Sequence, residues 1–128
     1  MFLGVALVGC INDRNEPIVG SWILTSGSFC FDYPKTSGYG KLSVDVLEFS
    51  SDGTVKVYSS DGRVEKGTWT STKGQSSYGL ALRMEISDGY YSPHSAKYFE
   101  YMYTYTMPDD NTLVIKYGFG KTATFSRQ

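Results

Sequence analysis

Apolar and polar residues alternate with period two from Ile18 onward, cut at short intervals by Gly, Asp, Asn and Pro, and this constrains the fold more than any other feature. A strand turns successive side chains to opposite faces, whereas a helix needs apolar residues three and four positions apart. No window of useful length beyond Ile18 has the helical spacing. The clearest alternation is Leu80 to Ser87, with Leu80, Leu82, Met84 and Ile86 on one face and Ala81, Arg83, Glu85 and Ser87 on the other. The same rule predicts strands over Val19 to Ser26, Leu42 to Phe49, Thr54 to Ser59, Val64 to Ser71, Tyr98 to Met107, Thr112 to Tyr117 and Thr122 to Ser126. Within Leu42 to Phe49 the apolar phase slips, from Leu42, Val44 and Val46 to Leu47 and Phe49, which predicts a bulge.

The connections carry turn chemistry. Ser51-Asp52-Gly53 and Asp61-Gly62 supply the positive-φ geometry of tight hairpins, and Asp88-Gly89, Pro108-Asp109-Asp110-Asn111 and Gly118-Phe119-Gly120 close three more. Residues 27–41 and 73–78 read as loops. Eight short antiparallel strands in one chain are expected to curl into an up-and-down barrel, because closure removes the exposed edges of an open sheet. The expected class is therefore all-β, an eight-stranded antiparallel barrel in one domain, the number that 128 residues allow. The 11 Tyr, 7 Phe and 2 Trp suit such strands, and the 14 Gly suit the turns.

Composition removes several functions. A formal net charge of −1 lacks the basic face of a nucleic-acid binder. One His and two Cys leave no ligand set for most zinc, haem or iron–sulfur centres. His94, in Ser92-Pro93-His94-Ser95, lacks both a nucleophile elbow and a third orienting group. Asp109-Asp110, Asp52 and Asp61 read as turn residues, and no calcium loop or phosphate loop is spelled out. No cofactor, metal or catalytic residue is expected.

The N-terminal run Met1 to Val8 is apolar but far shorter than the roughly 20 residues of a membrane-spanning helix. Its length suits the core of a signal peptide, with the small Gly9 at the processing position. Leu7-Val8-Gly9-Cys10 resembles a bacterial lipobox, although no Lys or Arg precedes the run. The resemblance implies that Cys10 is diacylated and begins the mature chain. It divides the sequence into a signal segment (1–9), a polar tether (10–17) and a barrel domain (18–128). Cys30 is then a small packed residue without a disulfide partner. If Cys10 keeps its thiol, a Cys10–Cys30 disulfide is the alternative in an oxidising compartment.

Gly20-Ser21-Trp22 resembles the Gly-x-Trp signature of lipocalins and the wider calycin barrels. In that family the Trp packs at the closed end of the barrel and a basic residue near the end of the last strand lies over it, a place held here by Arg127. Leu47-Glu48-Phe49-Ser50-Ser51-Asp52-Gly53-Thr54-Val55, Gly67-Thr68-Trp69 and Asn111-Thr112-Leu113-Val114-Ile115 extend the likeness to the small lipocalin-like domains of Gram-negative lipoproteins. The chain is short for a lipocalin and shows no helix pattern between its strands. The likeness implies a cell-envelope protein, lipid-anchored at the outer membrane on its periplasmic or surface face.

The candidate binding residues follow from strand phase. Phe99, Tyr101, Tyr103 and Tyr105 share one face, and with Trp69, Leu82 and Met84 they are expected to wall the barrel interior. Tyrosines in such a wall give apolar surface with a few polar handles, the usual make-up of a small-molecule site. Tyr39, Tyr90 and Tyr91 are expected on the rim. The leading expectation is a non-enzymatic carrier of a small, largely apolar molecule, inside or at the mouth of the barrel. The alternative is a surface adaptor that holds a glycan or a protein partner on the aromatic rim.

Overall fold

The computed structural model describes residues 17–32, 41–72, 80–88, 97–118 and 120–128. The described part is all-β and without helix: β1 (Gly20–Ser26), β2 (Cys30–Asp32), β3 (Lys41–Phe49), β4 (Thr54–Ser59), β5 (Val64–Thr72), β6 (Leu80–Asp88), β7 (Lys97–Asp109), β8 (Thr112–Tyr117) and β9 (Lys121–Arg127). Every neighbouring pair is antiparallel, in the order β1-β9-β8-β7-β6-β5-β4-β3-β2. The sheet curls. One side of β1 pairs with β9 through Trp22↔Arg127 and Leu24↔Phe125, and β1 also pairs with β3 through Gly20↔Phe49 and Trp22↔Leu47.

The eight predicted strands are present, and β2 is added to them within the stretch read as a loop. Its cause is the Phe29-Cys30-Phe31 alternation, which buries both rings and lets the segment pair with β3 through Cys30↔Ser43 and Phe31↔Leu42. The predicted bulge also forms. Val44 and Leu47 are both buried, Asp45 between them is exposed, and the β3–β4 register shifts between Val44 and Val46. One extra residue thus turns the second half of β3 back to the core. The turn expected over Pro108 to Asn111 is shorter than read. β7 continues through Pro108 to Asp109, and the register breaks between Thr106 and Asp109. A proline gives the ladder no N–H, so it is tolerated where pairing is already broken.

Side-chain chemistry closes the hairpins as their sequences demand. At Gly53, φ is +93°, and the Asp52 carboxylate accepts both the backbone N–H and the hydroxyl of Thr54, at 2.9 and 2.7 Å. Asp61 receives the Arg63 N–H at 3.1 Å and pairs with its guanidinium at 2.9 Å. Those bonds hold both carboxyls below the ordinary value of 3.8, chiefly through Thr54 for Asp52 and the Arg63 backbone for Asp61.

The core is continuous from Trp22 and Leu47 through Trp69, Met84, Leu113 and Ile115 to Phe29 and Phe31. Both indoles are sealed, and each indole N–H finds a carbonyl, Trp22 to Ile18 at 2.8 Å and Trp69 to Ser50 at 3.0 Å. Burying an indole without such a partner would cost about 1–3 kcal/mol. Arg127 lies over Trp22 with its guanidinium carbon 4.3 Å from the ring centroid. It also donates to the carbonyls of Val19, Pro17 and Asp110 at 2.9, 2.7 and 2.8 Å.

Candidate functional site

Away from the Trp22 end, β2 lies across the aromatic face of β7. Phe29 meets Tyr103, Tyr117 and Phe125 edge-on at centroid distances of 5.1, 5.5 and 5.9 Å. Phe31 packs on Tyr101 at 4.8 Å and Tyr103 at 6.2 Å. The two phenylalanines thus fill space that the alternation of β7 alone would leave for a ligand. Tyr101 and Tyr103 lie two residues apart on one face of β7, and their rings are parallel within 2° at 6.4 Å.

The tyrosine hydroxyls reach past the rings to the backbone of the β2 segment. Tyr101 donates to the Asp32 carbonyl at 3.1 Å, and Tyr117 donates to the Ser28 carbonyl. Tyr103 lies between them in this cluster, and burial pushes its phenol well above the ordinary value of 10, with Tyr101, Asp32 and Cys30 adding to the effect. It is neutral at physiological pH and presents an O–H.

Beside this clasp is an open groove of about 450 Å³ lined by Cys30, Asp32, Tyr101, Tyr103, Tyr117, Gly118 and Lys121. That volume falls within the usual size of small-ligand sites, about 300–1,000 Å³. Its floor is aromatic, and its borders carry one carboxylate and one ammonium. Cys30 has a free thiol, 3.6 Å from the Ser43 hydroxyl. A second groove of about 370 Å³, lined by Ser21, Asp45, Val46, Glu48, Tyr58, Ser59 and Gln128, is already internally bonded. There Glu48 accepts from Ser21 at 3.2 Å and from Tyr58 at 3.3 Å.

The structure divides the residues expected to form one wall. Tyr101 and Tyr103 line the groove. Trp69, Met84 and Tyr105 are sealed in the packed core, with Met84 fully buried and paired through its backbone to Tyr101. Phe99 is half-buried against that core. The Leu82 backbone stands opposite Tyr103. Tyr39, Tyr90, Tyr91, His94 and Cys10 lie outside the described residues. Cys30, Asp32, Tyr117 and Lys121 were not singled out as binding residues. The available signals were the Phe-Cys-Phe alternation and the inward phase of Tyr117; neither Asp32 nor Lys121 carries a periodic signal. Among the described residues, no group of three or more His, Cys, Asp or Glu is placed to hold a metal ion. No family model, curated protein or solved structure matches the chain.

Proposed function

We propose that this chain is a non-enzymatic, lipid-anchored binding protein of lipocalin-like design. It holds a small, largely apolar molecule at the mouth of an eight-stranded barrel. The barrel reading is supported by the curl of the sheet and by the pairing of β1 with both β9 and β3. The lipocalin-like reading rests on Trp22 beneath Arg127. The anchor reading rests on the sequence Leu7-Val8-Gly9-Cys10 and places the protein in the cell envelope, at the outer membrane.

The observation that carries the function is the groove beside β2: two parallel tyrosine rings, a third tyrosine and two opposite charges border about 450 Å³ of open space. The core beneath it is filled by Trp22, Trp69, Phe49 and Phe125, so a ligand belongs at the mouth rather than deep inside. Titration with an environment-sensitive apolar dye tests the reading. The protein binds one dye, and Lys121→Trp, at an exposed position on the groove border, abolishes binding while the melting temperature holds. Dye binding that survives Lys121→Trp unchanged overturns the groove as the site, and failure of the parent protein to bind dye overturns the carrier function. Tyr103→Phe keeps the wall and removes one hydroxyl. It weakens a polar ligand by about 0.5–1.5 kcal/mol and leaves an apolar dye unaffected.

A further inference from the structure

Among the described residues, no strand pairs with the outer edge of β2, and Cys30 and Asp32 on β2 line the groove. Val44 donates its N–H to the Phe29 carbonyl at 2.9 Å, and β2 pairs with β3 through Cys30↔Ser43 and Phe31↔Leu42. In an antiparallel ladder, successive residues turn their N–H and C=O alternately toward and away from the partner strand. Phe29 and Phe31 therefore direct theirs at β3, and Ser28, Cys30 and Asp32 direct theirs away from it. The tyrosines verify the alternation independently, because Tyr117 reaches the Ser28 carbonyl and Tyr101 reaches the Asp32 carbonyl. Between these two bonded positions, the N–H and C=O of Cys30 have no partner among the described residues, and Cys30 lines the groove. Cys30 is only partly exposed, and its open donor and acceptor offer a ligand backbone the same two bonds that a neighbouring strand would make.

We propose that the groove takes a short extended peptide, laid antiparallel to β2 and bonded to both backbone groups of Cys30. This rests on the reading of the groove as the ligand site and names the ligand class. One residue facing another in an antiparallel ladder exchanges two bonds, so a single central peptide residue satisfies Cys30 completely. Charge fixes the direction. Asp32, at the Tyr101 end, matches a peptide ammonium. Lys121 is paired to Tyr117 across β8 and β9, at the Ser28 end, and matches a carboxylate. The edge from Ser28 to Asp32 measures about 13 Å at about 3.3 Å per residue, which suits a tripeptide with free termini. The parallel rings of Tyr101 and Tyr103 offer an apolar wall for its central side chain.

The test uses calorimetric titration of the full chain with Ala-Phe-Ala and with the same tripeptide N-methylated at Phe. The parent peptide binds; N-methylation removes the donor to the Cys30 carbonyl and weakens binding about tenfold, and blocking both termini weakens it further. Cys30→Pro removes the one N–H that faces the groove without deleting a bond to β3, and it also weakens binding about tenfold. If Cys30→Pro fails to fold, as judged by circular dichroism, the methylated peptide decides on the parent protein. Equal affinity for the two peptides overturns the proposal. So does an absence of peptide binding while an apolar dye still binds and is lost in Lys121→Trp, a result that leaves the small-ligand reading standing. Loss of both peptide and dye overturns both.

Discussion

Arg127→Met measures how much the clamp at the Trp22 end contributes. Methionine keeps most of the apolar stem but removes the planar cation and all its donors. The Val19 carbonyl, bonded at 2.9 Å in a partly buried position, loses its partner, which costs about 1–3 kcal/mol. The bonds to Pro17 and Asp110 are exposed, and water replaces them at little cost. Loss of the cation 4.3 Å above the Trp22 ring adds about 0.5–2 kcal/mol. The expected total is about 1.5–5 kcal/mol, against a stability of about 5–15 kcal/mol for an ordinary domain. Urea unfolding followed by tryptophan fluorescence reads it directly. Gly20 supplies an internal control, because its φ is +135° and an added Cβ would sit 2.6 Å from the Arg127 Nη1. Gly20→Ala alone suffers both backbone strain and that collision. In the Arg127→Met background only the strain remains, so the two changes together cost less than their sum by about 1 kcal/mol or more. If Arg127→Met costs under about 0.5 kcal/mol, or if the pair is simply additive, the guanidinium is not held as described.

Three further outcomes are expected. Met84→Trp overfills a fully buried site and lowers stability by about 1–3 kcal/mol in the same unfolding assay; an unchanged midpoint would reveal open space around Met84. In an alkaline titration followed by phenolate absorbance, the Tyr103 phenol stays protonated after exposed tyrosines ionise near pH 10, because its folded value is raised. Its contribution to stability is intact below the unfolded value and is lost as pH rises through the folded one, and a normal Tyr103 titration contradicts its burial. Cys10→Ser, expressed with a competent signal segment, moves the protein from the membrane pellet to the soluble fraction, since two acyl chains anchor firmly where one does so marginally; retention in the pellet rules out the anchor.

Strand phase carried much of the fold into the sequence. The slip between Val46 and Leu47 announced the β3 bulge, and Met102, 61% exposed between Tyr101 and Tyr103, shows that the outward phase of β7 was also legible. What alternation cannot convey is what fills the space it encloses. The one signal for β2, the Phe29-Cys30-Phe31 alternation, is a single period long, and Gly27 and Ser28 just before it look like loop. Its two inward rings nevertheless determine where the groove lies. The partners of the tyrosine hydroxyls are equally remote, since Tyr101 bonds a carbonyl 69 residues away and Tyr117 one 89 away. A hydroxyl's need for a partner is written in the residue type, but the partner's address is written only in the fold.

The double pairing of β1 also has a kinetic meaning. Hairpins such as β3–β4 join residues close in sequence, while the Arg127 bond to Val19 spans 108 residues. Closing a long loop carries an entropic cost that its contacts offset only once they form, so sheets dominated by such contacts fold in milliseconds to seconds. β1 is therefore expected to dock last, after its neighbours β3 and β9 have assembled within their own hairpins. Interactions made after the transition state govern how fast a protein comes apart rather than how fast it forms. The tryptophan and arginine at the β1 end are accordingly expected to act as a latch on unfolding, setting the lifetime of the folded chain more than the speed of reaching it.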